Sequence, residues 1–446
     1  MPTLEDYLKR NARLYPEKTA IVDPDGQRIT YARLYESVVR KATEFRNRKG
    51  RAVVFRNTQG TDFLITYLAL HRAGAIAVPM EAAAPEATMR AVETELSVVD
   101  FPSGVVDVLY TTGTTGRSKG VMISRDAIIA DGENLTEAQG FCHETVFVVC
   151  GPMNHIGSLS KLYPVIMQGA TLLILKGMKD LNAFFHALDY PEGRLATFLV
   201  PASIRILLAF GSRRLALYAD KIDFIETGAA PIAHSDMRQL CRILPHTRLY
   251  NTYASTETGI IATYDFNDGR CLEKCLGHPM KNSSFHITRQ GRIACEGKTL
   301  MSGYAGNDEL TRQVLRGGVL YTADRGIIDD EGMLRLLGRE DDVINTAGYK
   351  VDPSEVEDAA SGLPGIADCI CVAAPHPVLG TVPKLLVVMK EGCRLDKKTV
   401  TEHIGNRLET YKVPVYYEQV ASVRRTFNGK LDRKSYRQNG QPEDPK

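Results

Sequence analysis

The chain has no run of about 18 uncharged apolar residues, so no transmembrane helix is expected. Residues 1–22 carry charge throughout and lack the apolar stretch of a secretory signal. A cytoplasmic enzyme is therefore the expectation. Charge of one sign is not in excess either. Lys and Arg number 55 against 53 Asp and Glu, a net charge of +2, which argues against a broad nucleic-acid-binding face. Zinc spacing is missing: the nine cysteines form no Cys-x-x-Cys, with Cys271 and Cys275 four apart and Cys369 and Cys371 two apart. Reduced cysteines packed as small hydrophobes are expected. No internal repeat is visible.

What is present is length and alternation. A chain of 446 residues, 44% hydrophobic, exceeds what one core usually supports, so at least two domains are expected. Leu34, Val38, Ala42 and Phe45 recur at helical spacing after Thr30, following a hairpin around Asp25-Gly26. Ala52–Phe55 reads as a buried strand, 63–70 as a helix and Ala75–Val78 as another buried strand. Short apolar runs continue at 145–149, 171–175, 197–200 and 224–226, the texture of α/β layers. Near residue 338 the texture changes. A charge cluster, Gly338-Arg-Glu-Asp-Asp342, precedes a compact stretch with its own strands (370–374, 385–389) and helices (353–360, 397–408). Asp352 as N-cap, Pro353 at the first helical position and Glu355 at the third mark the first of those helices. The expected division is a large layered α/β domain over 1–338, a connection at 339–342 and a small α+β domain over 343–446.

The segment from Tyr110 to Val121 contains four threonines and three glycines around Lys119. Glycines let backbone N–H groups approach an anion, hydroxyls add donors and a lysine neutralises phosphate charge. The pattern is not a Walker loop, since Gly120 follows Lys119 where Ser or Thr would be needed. A polyphosphate cradle and a flexible surface loop both remain open from this segment alone.

This segment closely resembles the phosphate loop of the adenylate-forming superfamily of acyl-CoA synthetases, adenylation domains and luciferases. The resemblance recurs in order along the chain. Glu226-Thr-Gly-Ala-Ala-Pro231 is similar to the adenine loop, and Asn251-Thr-Tyr-Ala-Ser-Thr-Glu257 to the tyrosine–threonine–glutamate motif. Tyr321-Thr-Ala-Asp324 is similar to the ribose-binding segment, Gly338–Asp341 to the hinge, Gly348–Glu357 to the loop behind it, and Asn428–Arg433 to the carboxy-terminal lysine motif.

The resemblance implies ATP, Mg²⁺ and CoA, or a carrier-protein phosphopantetheine, as the molecules bound beside a carboxylic acid. Lys430 would bridge the carboxylate and the α-phosphate. Glu257 would hold Mg²⁺ with Thr115, and Thr256 would lie near the phosphates. Thr111, Thr112, Gly113, Thr114, Thr115, Gly116 and Lys119 would hold the departing pyrophosphate. Gly228, Ala229, Ala230 and Pro231 would sandwich adenine against Tyr253, with Asn251 and Thr252 beside it. Asp324 and Arg339 would take the ribose. Asp341 would be the pivot of a mobile small domain that withdraws Lys430 and brings Gly348, Tyr349 and Lys350 forward to line a thiol tunnel. Read singly, each residue has a structural alternative: Lys430 a solvated lysine, Glu257 a carboxylate at a helix N-terminus, Asp324 and Arg339 an ion pair.

Some positions depart from the family pattern. The stretch between residues 80 and 110 is shorter, as though a strand–helix unit were missing. Ser118 replaces proline, Ala254 glycine, and Asn345 stands where lysine is frequent. Gly151-Pro-Met-Asn-His155 resembles the acyl-pocket segment of acyl- and aryl-CoA ligases, with His155 as the pocket residue. No acidic residue lies between Gly151 and Gly169, which disfavours an α-amino acid. The walls at 197–201 and 222–228 read as apolar, so an aryl or medium-chain acid joined to CoA is expected. A stand-alone enzyme loading a carrier protein and a nucleotide-binding pseudoenzyme are the alternatives.

Overall fold

The structure, a computed structural model, describes residues 2–112, 118–346, 349–425 and 431–437. Local signals set many element ends. Thr3 and Asp6 close a reciprocal capping box at the start of the Leu4–Leu14 helix. Thr30 accepts the Arg33 amide and starts Tyr31–Ala42, which buries Tyr31, Leu34, Val38 and Ala42 along one side. The Thr61–Ala73 helix stops at Gly74, whose φ of 69° suits a residue without Cβ.

The strands form three sheets. One runs Gly303–Tyr304, Ser118–Ser124, Val105–Thr112, Ile76–Met80, Ala52–Arg56. Ala52–Arg56 is half-buried along its whole length, not fully buried as expected, because it stands at the edge with a strand on one side only. Between Met80 and Val105 the chain makes a single helix, Glu86–Ser97, and the two flanking strands pair directly, Ala77 opposite Asp107.

The second sheet is long. Its parallel part orders Arg248–Ser255, Ile222–Thr227, Arg194–Phe198, Thr145–Val149, Thr171–Ile174 and Thr19–Val22. Thr145–Val149 is buried at every residue, as a strand covered on both faces must be. Past Arg248–Ser255 the sheet continues antiparallel through Gly259–Asp265, Cys275–Pro279, Leu334–Arg339 and Val319–Ile328.

The third sheet (Ile344–Thr346, Tyr349–Val351, Ile366–His376, Gly380–Met389, Tyr416–Gln419) packs the Pro353–Ser361 and Lys397–Gly405 helices around its own core of Val351, Val356, Leu385, Val387, Val400 and Ile404. A large amino-terminal and a small carboxy-terminal α/β unit result. Asp352 caps the Pro353 helix through the Ser354 amide. Glu355 turns instead to Lys412, at 2.7 Å. A Cβ on Gly338 would lie 1.6 Å from Asp352 Oδ2, so only glycine lets the connecting strand pass this cap. Lys274–Asp358 at 3.1 Å and Arg205–Asp368 at 2.5 Å tie the small unit to the large one.

All nine cysteines are free thiols. Among the described residues no helix is long and apolar enough to cross a membrane, and no cluster of three His, Cys, Asp or Glu could hold a metal.

Candidate active site

The threonine-rich segment is flanked by a β-hairpin. Thr111 pairs with Lys119 and Thr112 with Ser118, so Lys119 belongs to a strand and is not inside the loop as expected. The hydrogen-bond register of the sheet therefore aims its side chain. Gly113, Thr114, Thr115 and Gly116 lie outside the described residues, as do Gly348 and Lys430. Lys119 Nζ sits 5.3 Å above the Tyr304 ring, and the Tyr304 hydroxyl donates to Glu257 Oε1 at 3.1 Å.

Glu257 lies on the turn between the antiparallel strands Arg248–Ser255 and Gly259–Asp265, and Thr256 is half-buried beside it. The turn is fixed at several points. The Ser255 amide donates to Thr258 Oγ1, the Thr258 amide to Ser255 Oγ and the Met301 amide to the Glu257 carbonyl. A Cβ on Gly259 (φ 66°) would meet Asp131 Oδ1 and the Thr299 carbonyl at 2.7 Å. No helix begins at Glu257, so a helix-dipole role for it falls away.

Asp324 and Arg339 are cross-strand partners, with Arg339 Nε 3.2 Å from Asp324 Oδ1. The Tyr253 hydroxyl donates to Asp324 Oδ2 at 2.9 Å. Burial, and next the Asp324 charge, hold that hydroxyl well above its ordinary pKa, so it stays a donor. The structural ion pair is thus present, and the Asp324 side chain keeps 20% exposure. Asn251 and Thr252 are engaged within the protein: Asn251 Nδ2 donates to the Cys275 carbonyl, and Thr252 Oγ1 meets Thr263 Oγ1, each at 2.9 Å. In the loop after Ile222–Thr227, Gly228 is buried, and a Cβ there would lie 2.9 Å from the Thr252 carbonyl oxygen. Ala229 adopts φ 66°, a left-handed conformation that costs an L-residue about 1–2 kcal/mol. Ala230 is half-buried and Pro231 exposed.

His155 precedes the short Ile156–Leu159 helix, its Nε2 lying 3.4 Å from Asn154 Nδ2 and 3.8 Å from Glu81 Oε1. A Cβ on Gly157 would lie 3.2 Å from the Phe198 ring. The wall from 222 to 228, expected to be apolar, contains two carboxylates, Asp223, which meets Arg248 at 2.7 Å, and Glu226. Lys161 Nζ donates to Glu226 Oε1 at 2.8 Å and lies 2.7 Å from Oε2, and both side chains are 1% exposed. Lys161 also stands 5.2 Å over the Phe198 ring. Asp131 is buried nearby. Its carboxyl is pushed up to about 8 by burial, which outweighs the Ile260 amide and the Lys161 charge that favour ionisation. The sequence motifs placed Glu226 only at the head of the adenine loop and gave no sign of its pairing with Lys161. A carboxylate directly after an apolar pair, as Glu226 is after Phe224-Ile225, signals a partner where it is buried. Tyr304 carries no such signal.

On the small unit, Tyr349 stacks on Tyr411 at 4.7 Å and is 58% exposed, and Lys350 is exposed too. The Asp341 backbone lies in the single turn Glu340–Asp342. Arg433 binds Glu357 at 2.6 Å, and Arg425 pairs with Leu431 across the segment that contains Lys430.

Comparison with known proteins bears on the family and the fold. The family model described as "AMP-binding enzyme" matches residues 8–99 and 101–305, and "AMP-binding enzyme C-terminal domain" matches 355–430. The chain is similar to a feruloyl-CoA synthase of Amycolatopsis sp, 26% identical over 478 positions covering 95% of this chain and 96% of the relative. It is also similar to a 2-succinylbenzoate–CoA ligase of Bacillus cereus (strain AH820), 25% identical over 487 positions covering 98% and 99%. The ATP-bound crystal structure of MatB from Rhodopseudomonas palustris shares the fold, with a TM-score of 0.86 at 22% identity over 98% and 99% of the two chains.

Proposed function

We propose, from the premise that this chain belongs to the AMP-binding enzyme family, that it is an AMP-forming acid:CoA ligase acting on an aryl or medium-chain carboxylic acid. One observation carries the reading. Lys119 and Glu257, 138 positions apart in sequence, converge on the ring and the hydroxyl of Tyr304 respectively. A cation suited to phosphate and a carboxylate suited to a phosphate-bound cation are thereby brought to one side chain.

In the first step the acid's carboxylate oxygen attacks the α-phosphorus of ATP, and the bond to the β-phosphate oxygen breaks. The products are an acyl-adenylate and pyrophosphate. Two anions must meet, so the protein's part is positioning and charge neutralisation. Lys430 is assigned to the carboxylate and α-phosphate. Lys119 and Thr111, with the Thr112–Gly116 segment, take the leaving pyrophosphate. Asp324, held by Tyr253 and Arg339, accepts the ribose hydroxyls, and the Gly228–Pro231 loop takes adenine. Mg²⁺ fits the donor set. A cation shared with phosphates takes one or two carboxylates plus water, and Glu257 has an oxygen beyond the one Tyr304 holds. Such an ion would neutralise the triphosphate. In the second step the CoA thiol attacks the acyl carbon, AMP leaves, and the thiol proton goes to solvent or base. The small unit is assigned to pivot at Asp341, within residues 339–342, to bring Gly348, Tyr349 and Lys350 to the thiol. His155, Gly157 and Phe198 support an acyl pocket with an aromatic wall.

The test is pyrophosphate release over a panel of aryl and aliphatic acids, with and without CoA. Release with an aryl acid and a CoA thioester as product is expected. Thioester on a holo carrier protein but none on CoA would overturn the acceptor, and no release with any acid would overturn the activity. Lys430→Ala should abolish release yet leave thiolysis of supplied acyl-adenylate largely intact.

A further inference from the structure

We propose that Tyr304 is the positioning residue for Glu257. Its hydroxyl fixes one carboxylate oxygen so that the other faces the cation that accompanies the nucleotide phosphates, while its ring seats Lys119. The inference rests on the reading of Glu257 as a cation ligand.

The backbone leaves Tyr304 little choice of position. Gly303 and Tyr304 pair with Met122 and Val121, on the same strand as Lys119. The Ser302 amide donates to the Met122 carbonyl and the Ala305 amide to the Gly120 carbonyl, each at 2.8 Å. The Tyr304 amide donates to Thr311 Oγ1 at 2.9 Å. Gly303 has φ 137°, and a Cβ there would lie 2.9 Å from Thr311 Cγ2. At the other end of this short strap the Met301 amide holds the Glu257 carbonyl at 2.8 Å. Residues 301–305 are thus tied to the Lys119 strand and to the Glu257 turn at once.

Tyr304 is 5% exposed. Its hydroxyl meets Glu257 Oε1 at 3.1 Å, and against a carboxylate oxygen the hydroxyl is the donor. A phenol has one proton to give. Spending it on Oε1 fixes the carboxylate rotamer and leaves Oε2 for another partner. Groups that orient a metal ligand in this way change metal affinity about 10- to 100-fold when removed.

The experiment titrates Mg²⁺ calorimetrically into the full chain with α,β-methylene-ATP, whose α–β bridge blocks adenylation, and repeats nucleotide binding in EDTA. Tyr304→Phe keeps the ring under Lys119 and removes only the hydroxyl. We expect its Mg²⁺ half-saturation to rise about ten-fold while nucleotide affinity in EDTA stays unchanged. Tyr304→Leu removes the ring as well and should weaken binding in EDTA too. In turnover the first variant should raise the KM for Mg²⁺ more than it lowers kcat at saturating Mg²⁺. An unchanged Mg²⁺ titration in Tyr304→Phe, or an equal loss with and without Mg²⁺, overturns the role of Tyr304. If the unsubstituted protein binds the nucleotide with no Mg²⁺ dependence, the reading of Glu257 falls, and this inference with it.

Discussion

Arg205 offers a way to separate the two half-reactions. It lies on the Pro201–Leu215 helix of the large unit and reaches Asp368 of the small unit at 2.5 Å and its own neighbour Asp236 at 3.4 Å. Asp368 also accepts both Nη2 contacts of Arg425, at 2.9 and 2.8 Å, immediately before the segment that ends in Lys430. A charge-assisted hydrogen bond contributes about 1.5–3 kcal/mol. Arg205 and Asp368 side chains keep 30% and 22% exposure, so solvent screening argues for the lower half of that range. Arg205→Gln should therefore weaken docking of the small unit by about 2 kcal/mol, roughly 30-fold in the docking equilibrium. We expect ATP–pyrophosphate exchange to fall by up to that factor while thiolysis of supplied acyl-adenylate changes little. Asp236→Asn removes only the contact within the large unit and should leave exchange nearly intact. Salt should mimic the substitution in the unsubstituted protein, because the contact is partly open to solvent. Equal loss of both half-reactions in Arg205→Gln, or a matching loss in Asp236→Asn, would refute the reasoning.

Asp131 predicts a pH dependence. Burial raises its folded pKa to about 8 from 3.8, so between those values the folded chain binds a proton that the unfolded chain has lost, and stability falls as pH rises from about 4 to about 8. Asp131→Asn, which can still accept the Ile260 amide, should flatten that fall in denaturant unfolding followed across pH; an unchanged slope contradicts it. Lys161→Met leaves Glu226 buried without its cation and should cost about 3–5 kcal/mol, most of it recovered when Glu226→Leu is added. Equal stabilities of the single and double variants would show that the pair is not the cause. Gly228→Ala places a methyl 2.9 Å from a backbone oxygen, and calorimetry should find AMP binding weakened about ten-fold, about 1.4 kcal/mol, with little change in melting temperature. Unaltered AMP affinity would remove this loop from the adenine site.

Much of the fold was legible because its signals are local. Thr30 and Asp352 act on backbone groups a few residues away, and the apolar run at Thr145–Val149 reports burial on both faces without knowledge of its neighbours. Where legibility failed, the missing information was a partner distant in sequence. Ala52–Arg56 has the composition of an interior strand and becomes an edge only because Ile76–Met80 pairs on one side of it. The hairpin that carries Lys119 was read as a loop because threonine and glycine fit either, and the register Thr111–Lys119 is decided by pairing. Lys161 and Glu226 are 65 positions apart, so neither residue's sequence neighbours report the contact that neutralises it.

The same reasoning explains why ordered motifs suggested nucleotide chemistry without revealing how the site is held. Lys119 projects from the five-stranded sheet, whereas Glu257 and Asp324 belong to the long sheet. On the proposed reading Lys119 and Glu257 serve one triphosphate, which spans only a few bond lengths, so their spacing must be fixed across two sheets that share no strand. Strand pairing sets positions within a sheet and says nothing of the spacing between sheets. The 301–305 strap supplies that constraint: its backbone bonds to Gly120 and Met122 register it on one sheet, and its bond to the Glu257 carbonyl registers it on the other. Tyr304 extends the backbone tie to the side chains. On the proposed reading, Tyr304 thereby sets the spacing between the lysine and the carboxylate assigned to the phosphates and their cation.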